Sequence, residues 1–162
     1  MNESGMIAFI RKYALYLAWL VSLAATGGSL FFSEVVGFVP CKLCWIQRIF
    51  MYPLAFLLGR ACYKNDRNII GYVLPLSAVG GLVSLYHYAE QKIPGFAGVI
   101  PCTEGVPCNA QYINWLGFIT IPFLALVAFT LITVLLLAGR TESKRQAQEV
   151  SSYGGKDEGL PL

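Results

Sequence analysis

The chain has 162 residues, enough for one domain, and 56% of them are hydrophobic while only 13% are charged. This composition excludes an ordinary soluble domain, in which about a quarter of the residues carry charge. The net charge of +3 comes with no basic patch interleaved with aromatic residues, so nucleic-acid binding is not predicted.

The charged residues are clustered, and this leaves long uncharged stretches. Residues 13–33, 68–89 and 105–139 contain no charge, and the apolar part of the last stretch is about 116–138. Each is long enough to cross about 30 Å of hydrocarbon as a helix. A fourth apolar stretch, 43–60, is interrupted by Arg48 near its start. We therefore predict an all-α membrane protein with four transmembrane helices over about 13–33, 43–60, 69–89 and 116–138.

The first twelve residues form a short polar leader, and the apolar run after them is longer than the core of a signal peptide. We therefore predict an uncleaved first helix. A short outer loop from Ser33 to Pro40 then leads to the second helix, in which Pro53 predicts a kink.

The distribution of Lys and Arg predicts the orientation of the chain, because cytoplasmic segments carry an excess of both. Only Lys42, Arg48 and Lys92 fall on one side of the predicted membrane. The nine on the other side are Arg11, Lys12, Arg60, Lys64, Arg67, Arg140, Lys144, Arg145 and Lys156. Both termini are therefore predicted to be cytoplasmic, and each of the two outer loops delivers a cysteine pair.

The second helix opens with Cys41 and Cys44 in a C-x-x-C, a spacing shared by redox dithiols and zinc half-sites. If the helix begins near Pro40, both thiols lie at its N-terminus, where unpaired N–H groups carry partial positive charge. Cys44 and Arg48 are four residues apart and share a helix face. We therefore expect a thiol with a depressed pKa beside Arg48.

The third helix, about 69–89, carries the only histidine, His87, near its outer end. The residues alone favour an interfacial histidine in an aromatic belt with Tyr86 and Tyr88. The sharper alternative is a hydrogen-bond donor to something bound near Arg48. Cys62 lies at the cytoplasmic face and is interpreted as structurally incidental.

The second outer loop, Gln91 to Asn114, contains Cys102 and Cys108 on either side of a turn-rich TEGVP. A small disulfide ring is feasible, because a turn allows the two Cα atoms to approach to about 5.5 Å. The residues after 139 form a polar tail, 140–162, that we expect to be cytoplasmic and disordered. The membrane domain is thus predicted to cover residues 1–139.

Three interpretations of the four outer cysteines stay open at this point. Two structural bridges could staple a non-catalytic membrane protein, or four thiolates could bind zinc. Alternatively, two pairs could exchange disulfides. The redox interpretation is favoured because a C-x-x-C bridge closes too short a loop to stabilise much, whereas C-x5-C is not a usual zinc half-site.

The motif V-P-C-K-L-C-W-I-Q-R, four spans, a second outer cysteine pair and W-x-G-F-x-T-I-P before the last helix together resemble the DsbB family. These are quinone-dependent membrane thiol–disulfide oxidoreductases, and the compact second loop is most similar to the Gram-positive BdbC type. The resemblance covers about residues 13–138. It implies a bacterial cell-membrane enzyme that supports disulfide formation in exported proteins.

The resemblance also implies a role for each site residue. Cys102 would form a mixed disulfide with an extracytoplasmic, DsbA-like thioredoxin-fold partner, and Cys108 would be its bridging mate and exchange with Cys41. Cys44 would pass electrons to a menaquinone or ubiquinone. The quinone would be bound by Arg48, by His87 and, beside the cysteines, by Gln47; no metal is implied. A likeness to vitamin K epoxide reductases is less good, because in those proteins the C-x-x-C lies at the end of the last helix.

Overall fold

The computed structural model describes residues 3–93, 108 and 118–154. In chain order these residues form α1 (Glu3–Leu30), which continues as a π-helical turn over Phe31–Val35, then α2 (Lys42–Lys64), α3 (Ile70–Lys92) and α4 (Ile121–Gly154). No strand occurs within these described ranges. The prediction of an all-helical protein is therefore confirmed for this part of the chain.

The four helices form a ring in which each packs on its two neighbours. α1 and α3 each pack against both α2 and α4, whereas α2 and α4 make few contacts with each other. A Cβ on Gly139 would lie 3.3 Å from Ala14 and 3.5 Å from Ile70, so these residues meet at one end of the bundle. Cys41 and Cys108 pack together at the other end. The start of α1 and residue 139 of α4 are thus at the end remote from these cysteines.

Three of the helices are apolar and long enough to cross a membrane: Gly5–Val35, Ile70–Lys92 and Ile121–Thr141. α2 has 23 residues, but Arg48 interrupts its apolar part. Lys42 precedes that part, and Arg60 and Lys64 follow it. The structure therefore supports a multi-pass membrane bundle. A fourth span over 43–60 stays a prediction.

Several helix ends differ from those expected from the sequence. α1 begins at Glu3 within the polar leader, α2 continues to Lys64, and α4 extends to Gly154 through the segment that we expected to be disordered. Residues 141–153 contain neither Gly nor Pro and are rich in good helix formers, so the helix propagates beyond the apolar stretch at little cost. Residues 94–107, 109–117 and 155–162, which include Cys102 and most of the second outer loop, lie outside the described residues.

α3 and α4 approach each other closely at Gly80. The ring of Phe129, which is fully buried, occupies the space that a side chain at Gly80 would need. One turn earlier in α3, Ser77 Oγ donates to the Phe129 carbonyl at 3.2 Å and lies 2.9 Å from Thr133 Oγ1. Small residues and interhelical hydrogen bonds are what hold helices together within a membrane.

We expect Gly80→Val to destabilise the bundle by about 1–3 kcal/mol, because the new side chain overlaps the Phe129 ring in a filled interface. Reversible unfolding in detergent measures the loss. Gly71→Val is the matched control, since it introduces the same residue in the same helix at a position with nothing within 4 Å. Equal losses in the two variants would contradict the packing argument.

Candidate active site

The two thiols of the C-x-x-C meet at the start of α2. Cys41 caps this helix in an extended conformation, and its Sγ accepts a hydrogen bond from the Cys44 backbone N–H at an N···S distance of 3.4 Å. A sulfur atom therefore takes the place of the oxygen that usually caps a helix. The two Sγ atoms lie 2.9 Å apart, and both residues are free thiols. The pair can form a disulfide with little backbone movement.

His87, which is fully buried, lies against Cys41. Its Nε2 is 3.6 Å from Cys41 Sγ and 3.1 Å from the carbonyl oxygen of Cys108, and its Nδ1 is 3.0 Å from Gln47 Nε2. Because an amide N–H can only donate, Nδ1 is the acceptor in this arrangement and the ring proton is on Nε2. His87 therefore donates toward the Cys108 carbonyl and the Cys41 sulfur.

Cys108, the one described residue between 94 and 117, lies at this site. It is disulfide-bonded, is 2% exposed, and packs in one apolar cluster with Cys41 and Leu43. Gln91 Nε2 also donates to the Cys108 carbonyl, at 3.4 Å. The cysteine expected to exchange with Cys41 is therefore already next to it, whereas Cys102 lies outside the described residues.

The stabilised thiolate belongs to Cys41. Hydrogen bonding to Cys44 and to His87 outweighs burial and lowers the pKa of Cys41 to about 4. The sequence predicts the acidic thiol beside Arg48, on Cys44. The difference arises because Cys41 has partners from three directions: the Cys44 side chain, the Cys44 N–H and the His87 ring.

We expect alkylation of Cys41 in the reduced protein to be almost independent of pH between about 6 and 8. A lowered pKa keeps the nucleophilic thiolate populated throughout that range, and the rate should fall only as the pH approaches about 4. An ordinary thiol, with a pKa of about 8.5, would slow by nearly 100-fold between pH 8 and 6. The measurement is mass-resolved alkylation of Cys41 by a small reagent, in a Cys62→Ser background. A rate that falls with an ordinary thiol's slope would contradict the assignment.

Arg48 is fixed to α1. Its Nε donates to Ser29 Oγ at 3.0 Å and its Nη2 to the Ser29 carbonyl at 3.1 Å. The guanidinium also lies 5.3 Å from the centroid of the Trp45 ring, within the range of a cation–π interaction. Two hydrogen bonds to one residue set the orientation of the guanidinium plane, so the position of the charge is determined by α1 as well as by α2.

A cavity of about 350 Å³ lies between α1, the start of α2 and α4. Cys44, Gln47 and Arg48 are in its wall, and Ser29 and Ser33 add hydroxyl groups on the α1 side. The rest of the lining is almost wholly apolar: Val21, Ala24, Ala25, Gly28, Phe32, Phe38, Val39, Pro40, Met51, Ile121, Leu124, Ala125, Val127, Ala128, Phe129 and Leu131. Three of the four residues predicted to bind a cofactor are thus together.

The fourth, His87, is not among the residues that line this cavity. It lies on the Cys41 side of the dithiol, and Gln47 separates it from the cavity by bonding to Nδ1 while also lining the cavity wall. His87 lies one turn beyond Ser84 on the buried face of α3, and no residue of α3 is among those that line the cavity.

The donor atoms of Cys41, Cys44 and His87 lie within 4.8 Å of one another, close enough in principle to bind a metal ion. The zinc alternative considered from the sequence used Cys41, Cys44, Cys102 and Cys108. That set requires Cys108 as a free thiolate, whereas Cys108 is disulfide-bonded. His87 also uses its Nε2–H toward the Cys108 carbonyl, which leaves that nitrogen without a lone pair for a metal.

Ser29 and Gln91 are two contributors that sequence reasoning missed. Ser29 follows Gly27 and Gly28 near the end of α1, where the small residues indicate only close helix packing. Gln91 lies four residues after His87 and so shares its helix face, which is the one signal that could have associated it with the site.

A comparison with protein families finds a match over residues 11–139 to DsbB, described as disulfide bond formation protein DsbB. Disulfide bond formation protein C of Bacillus subtilis is 57% identical over 122 residues, which are 75% of this chain and 88% of that protein. A probable disulfide formation protein of Oceanobacillus iheyensis is 48% identical over 137 residues, 82% of this chain and 92% of the relative. One from Coxiella burnetii is 45% identical over 130 residues, covering 79% and 88%.

No solved structure matches the chain significantly. The family match nonetheless covers most of the sequence, and the cysteine pairs that suggested the resemblance lie within it. The protein belongs to the DsbB family, in the branch similar to disulfide bond formation protein C of Bacillus subtilis.

Proposed function

We propose that this protein reoxidises an extracytoplasmic, DsbA-like thiol oxidase and passes the electrons to a membrane quinone, so that exported proteins acquire disulfide bonds. Its family supports a role in disulfide formation as a thiol–disulfide oxidoreductase. One observation carries the finer proposal. The Cys41–Cys44 pair has the disulfide-bonded Cys108 packed on one side and an apolar cavity containing Arg48 on the other.

The cavity fits a quinone in size and in chemistry. Its volume and its apolar lining suit a flat ring with a hydrocarbon tail, and its few polar groups are gathered near Cys44. Arg48 and Gln47 are the residues that would hold the carbonyl oxygens of the ring. When bound, a menaquinone or ubiquinone supplies an acceptor for two electrons and two protons.

The exchange steps can be written for this chain's own sulfur atoms, starting with both pairs bridged. A thiolate of the partner attacks Cys102, forms a mixed disulfide and releases Cys108 as a thiolate. Cys108 then attacks Cys41: the Cys41–Cys108 bond forms, the Cys41–Cys44 bond breaks, and Cys44 leaves as a thiolate at the cavity wall. One S–S bond forms for each that breaks, so electrons move from the partner toward Cys44.

Arg48 acts by position and charge. Its guanidinium, oriented by Ser29, stands four residues after Cys44 on the same face of α2 and lines the same cavity. A fixed positive charge there stabilises the Cys44 thiolate as it leaves and any negative charge that develops on a ligand oxygen. Because the guanidinium is held before the reaction, no reorganisation is needed when the charge appears.

In the proposed topology both termini are cytoplasmic and both cysteine pairs face the outside of the bacterial cell membrane. The basis is the excess of Lys and Arg at the end where the chain starts, together with the placement of Cys41 and Cys108 at the opposite end. α2 is the fourth span in this arrangement, with Arg48 near the interface and two of its N–H groups bonded to Ser29.

The test is dithiol-dependent quinone reduction by the purified protein in detergent, followed by the loss of quinone absorbance with menaquinone and ubiquinone analogues. We expect turnover with at least one class, and retained turnover in Cys62→Ser, whose thiol lies at the other end of α2. A folded protein that reduces neither class, with its disulfides oxidised throughout, would favour structural bridges and refute the proposal.

A further inference from the structure

His87 is oriented toward the cysteines and not toward the cavity. Its Nε2 lies 3.1 Å from the Cys108 carbonyl oxygen and 3.6 Å from Cys41 Sγ, while the cavity is lined by Cys44, Gln47 and Arg48. The family resemblance implies a quinone ligand at this position. The geometry of this chain gives the imidazole a different set of partners.

We propose that His87 is a positioning residue for exchange between the two cysteine pairs: its Nε2–H holds the Cys108 backbone against Cys41. The proposal rests on the proposed function, because it concerns the step in which Cys108 attacks Cys41. In that step the Cys41–Cys108 bond forms and the Cys41–Cys44 bond breaks, and Cys44 leaves with the electron pair. No reactant outside the two pairs is needed.

The first support is that one N–H group faces both residues that must react. Cys41 belongs to the start of α2 and Cys108 to the second outer loop, 67 positions later in the sequence. His87 lies between them on α3, fully buried, where a hydrogen bond is not weakened by competing water. It therefore links the start of α2 to Cys108 at the point where the two sulfur atoms must meet.

The second support is that the ring is held in the tautomer this role requires. Gln47 donates to Nδ1 at 3.0 Å, which leaves the proton on Nε2, the atom that faces Cys108. Such a partner on the remote nitrogen fixes both the tautomer and the orientation of an imidazole. Gln91 adds a second, longer donor to the same Cys108 carbonyl.

The experiment measures how strongly Cys41 and Cys108 pair when they are the only cysteines left. In a Cys44→Ser, Cys62→Ser, Cys102→Ser background, the Cys41–Cys108 disulfide is equilibrated with a glutathione redox buffer, and the oxidised fraction gives the effective concentration of one thiol at the other. No quinone and no partner protein is present. Its result can therefore fail independently of the proposed function, which the quinone assay tests.

We expect His87→Leu to lower this effective concentration by about three- to tenfold, the worth of one buried hydrogen bond. His87→Gln places an amide N–H near the position of Nε2 and should restore most of it. Tyr88→Phe is the matched control: it removes a hydrogen bond from the same end of α3 to Phe118, at the other end of the loop, and should not change the pairing of Cys41 with Cys108.

Two results would overturn the proposal, and a further measurement then says what His87 does instead. One is an effective concentration in His87→Leu equal to that of the parent, and another is a His87→Gln variant as impaired as His87→Leu although it melts at the parent's temperature. The further measurement is direct quinone binding, with Arg48→Met as the reference for a lost cavity contact. If His87→Leu weakens quinone binding as much as Arg48→Met while pairing is unaffected, then His87 serves the cavity.

Discussion

Cys44→Ser should abolish quinone reduction, with a loss of about a thousandfold or more. Cys44 is the only cysteine among the described residues that line the cavity, so a serine leaves Cys41 with no thiol through which its electrons can reach a ligand there. Removing the reacting atom of a catalytic group costs far more than removing a binding contact. The measurement is quinone absorbance in detergent with a small dithiol as reductant.

Cys62→Ser is the matched control, because it makes the same change in the same helix, at a buried thiol near the opposite end. It should keep parental turnover. Cys41→Ser should be as inactive as Cys44→Ser, since either change prevents the pair from forming a disulfide. Measurable turnover in Cys44→Ser would show that another group passes electrons to the quinone, and the proposed path would be wrong.

Arg48→Met should raise the apparent KM for quinone by about 10- to 100-fold. The guanidinium is the only cationic group in the described cavity wall, and a charge-assisted hydrogen bond is worth about 1.5–3 kcal/mol. Methionine keeps most of the side-chain volume and removes the charge. Steady-state kinetics with varied quinone and saturating dithiol measure the change; an unchanged quinone dependence would refute this role for Arg48.

Ser29→Ala should give a smaller change in the same direction, about two- to fivefold, because it removes one of the two hydrogen bonds that orient Arg48. Ser33→Ala is its control. Ser33 also lines the cavity and shares the Ser29 carbonyl with Arg48, but its hydroxyl bonds to that carbonyl, to the Leu30 carbonyl and to Glu34, and neither of the two Arg48 hydrogen bonds is to Ser33. If both serine variants raised KM equally, the cavity wall and not the orientation of Arg48 would be responsible.

The sequence alone determined the helices and the local relations within them. Long uncharged runs predict apolar helices because the pattern is continuous along the chain, and three such helices are present. The i, i+4 relation of Cys44 and Arg48 was predictable for the same reason: both residues belong to one helix, whose geometry is known before any packing is. The cysteine motifs also predicted the family, which the comparisons confirm.

Local pattern was less informative at the helix ends. The polar leader and the segment after residue 140 have no apolar periodicity, so no pattern there predicts that α1 or α4 extends into them. In the structure, however, α1 begins at Glu3 and α4 ends at Gly154, so both helices continue into these segments. Helix propagation from an existing span requires no apolar face, and this is why a pattern-based prediction misses it.

Tertiary structure decided everything that joins distant parts of the chain. Cys41 and His87 are 46 positions apart, and only the packing of α2 on α3 shows that His87 lies against Cys41 and faces Cys108. Arg48 meets Ser29 because α1 packs beside α2. Spacing along a chain specifies which residues share a helix face, but the angle and register between helices depend on how their side chains fit together. The roles of the two cysteines and of the histidine therefore differ in a way that no motif contains.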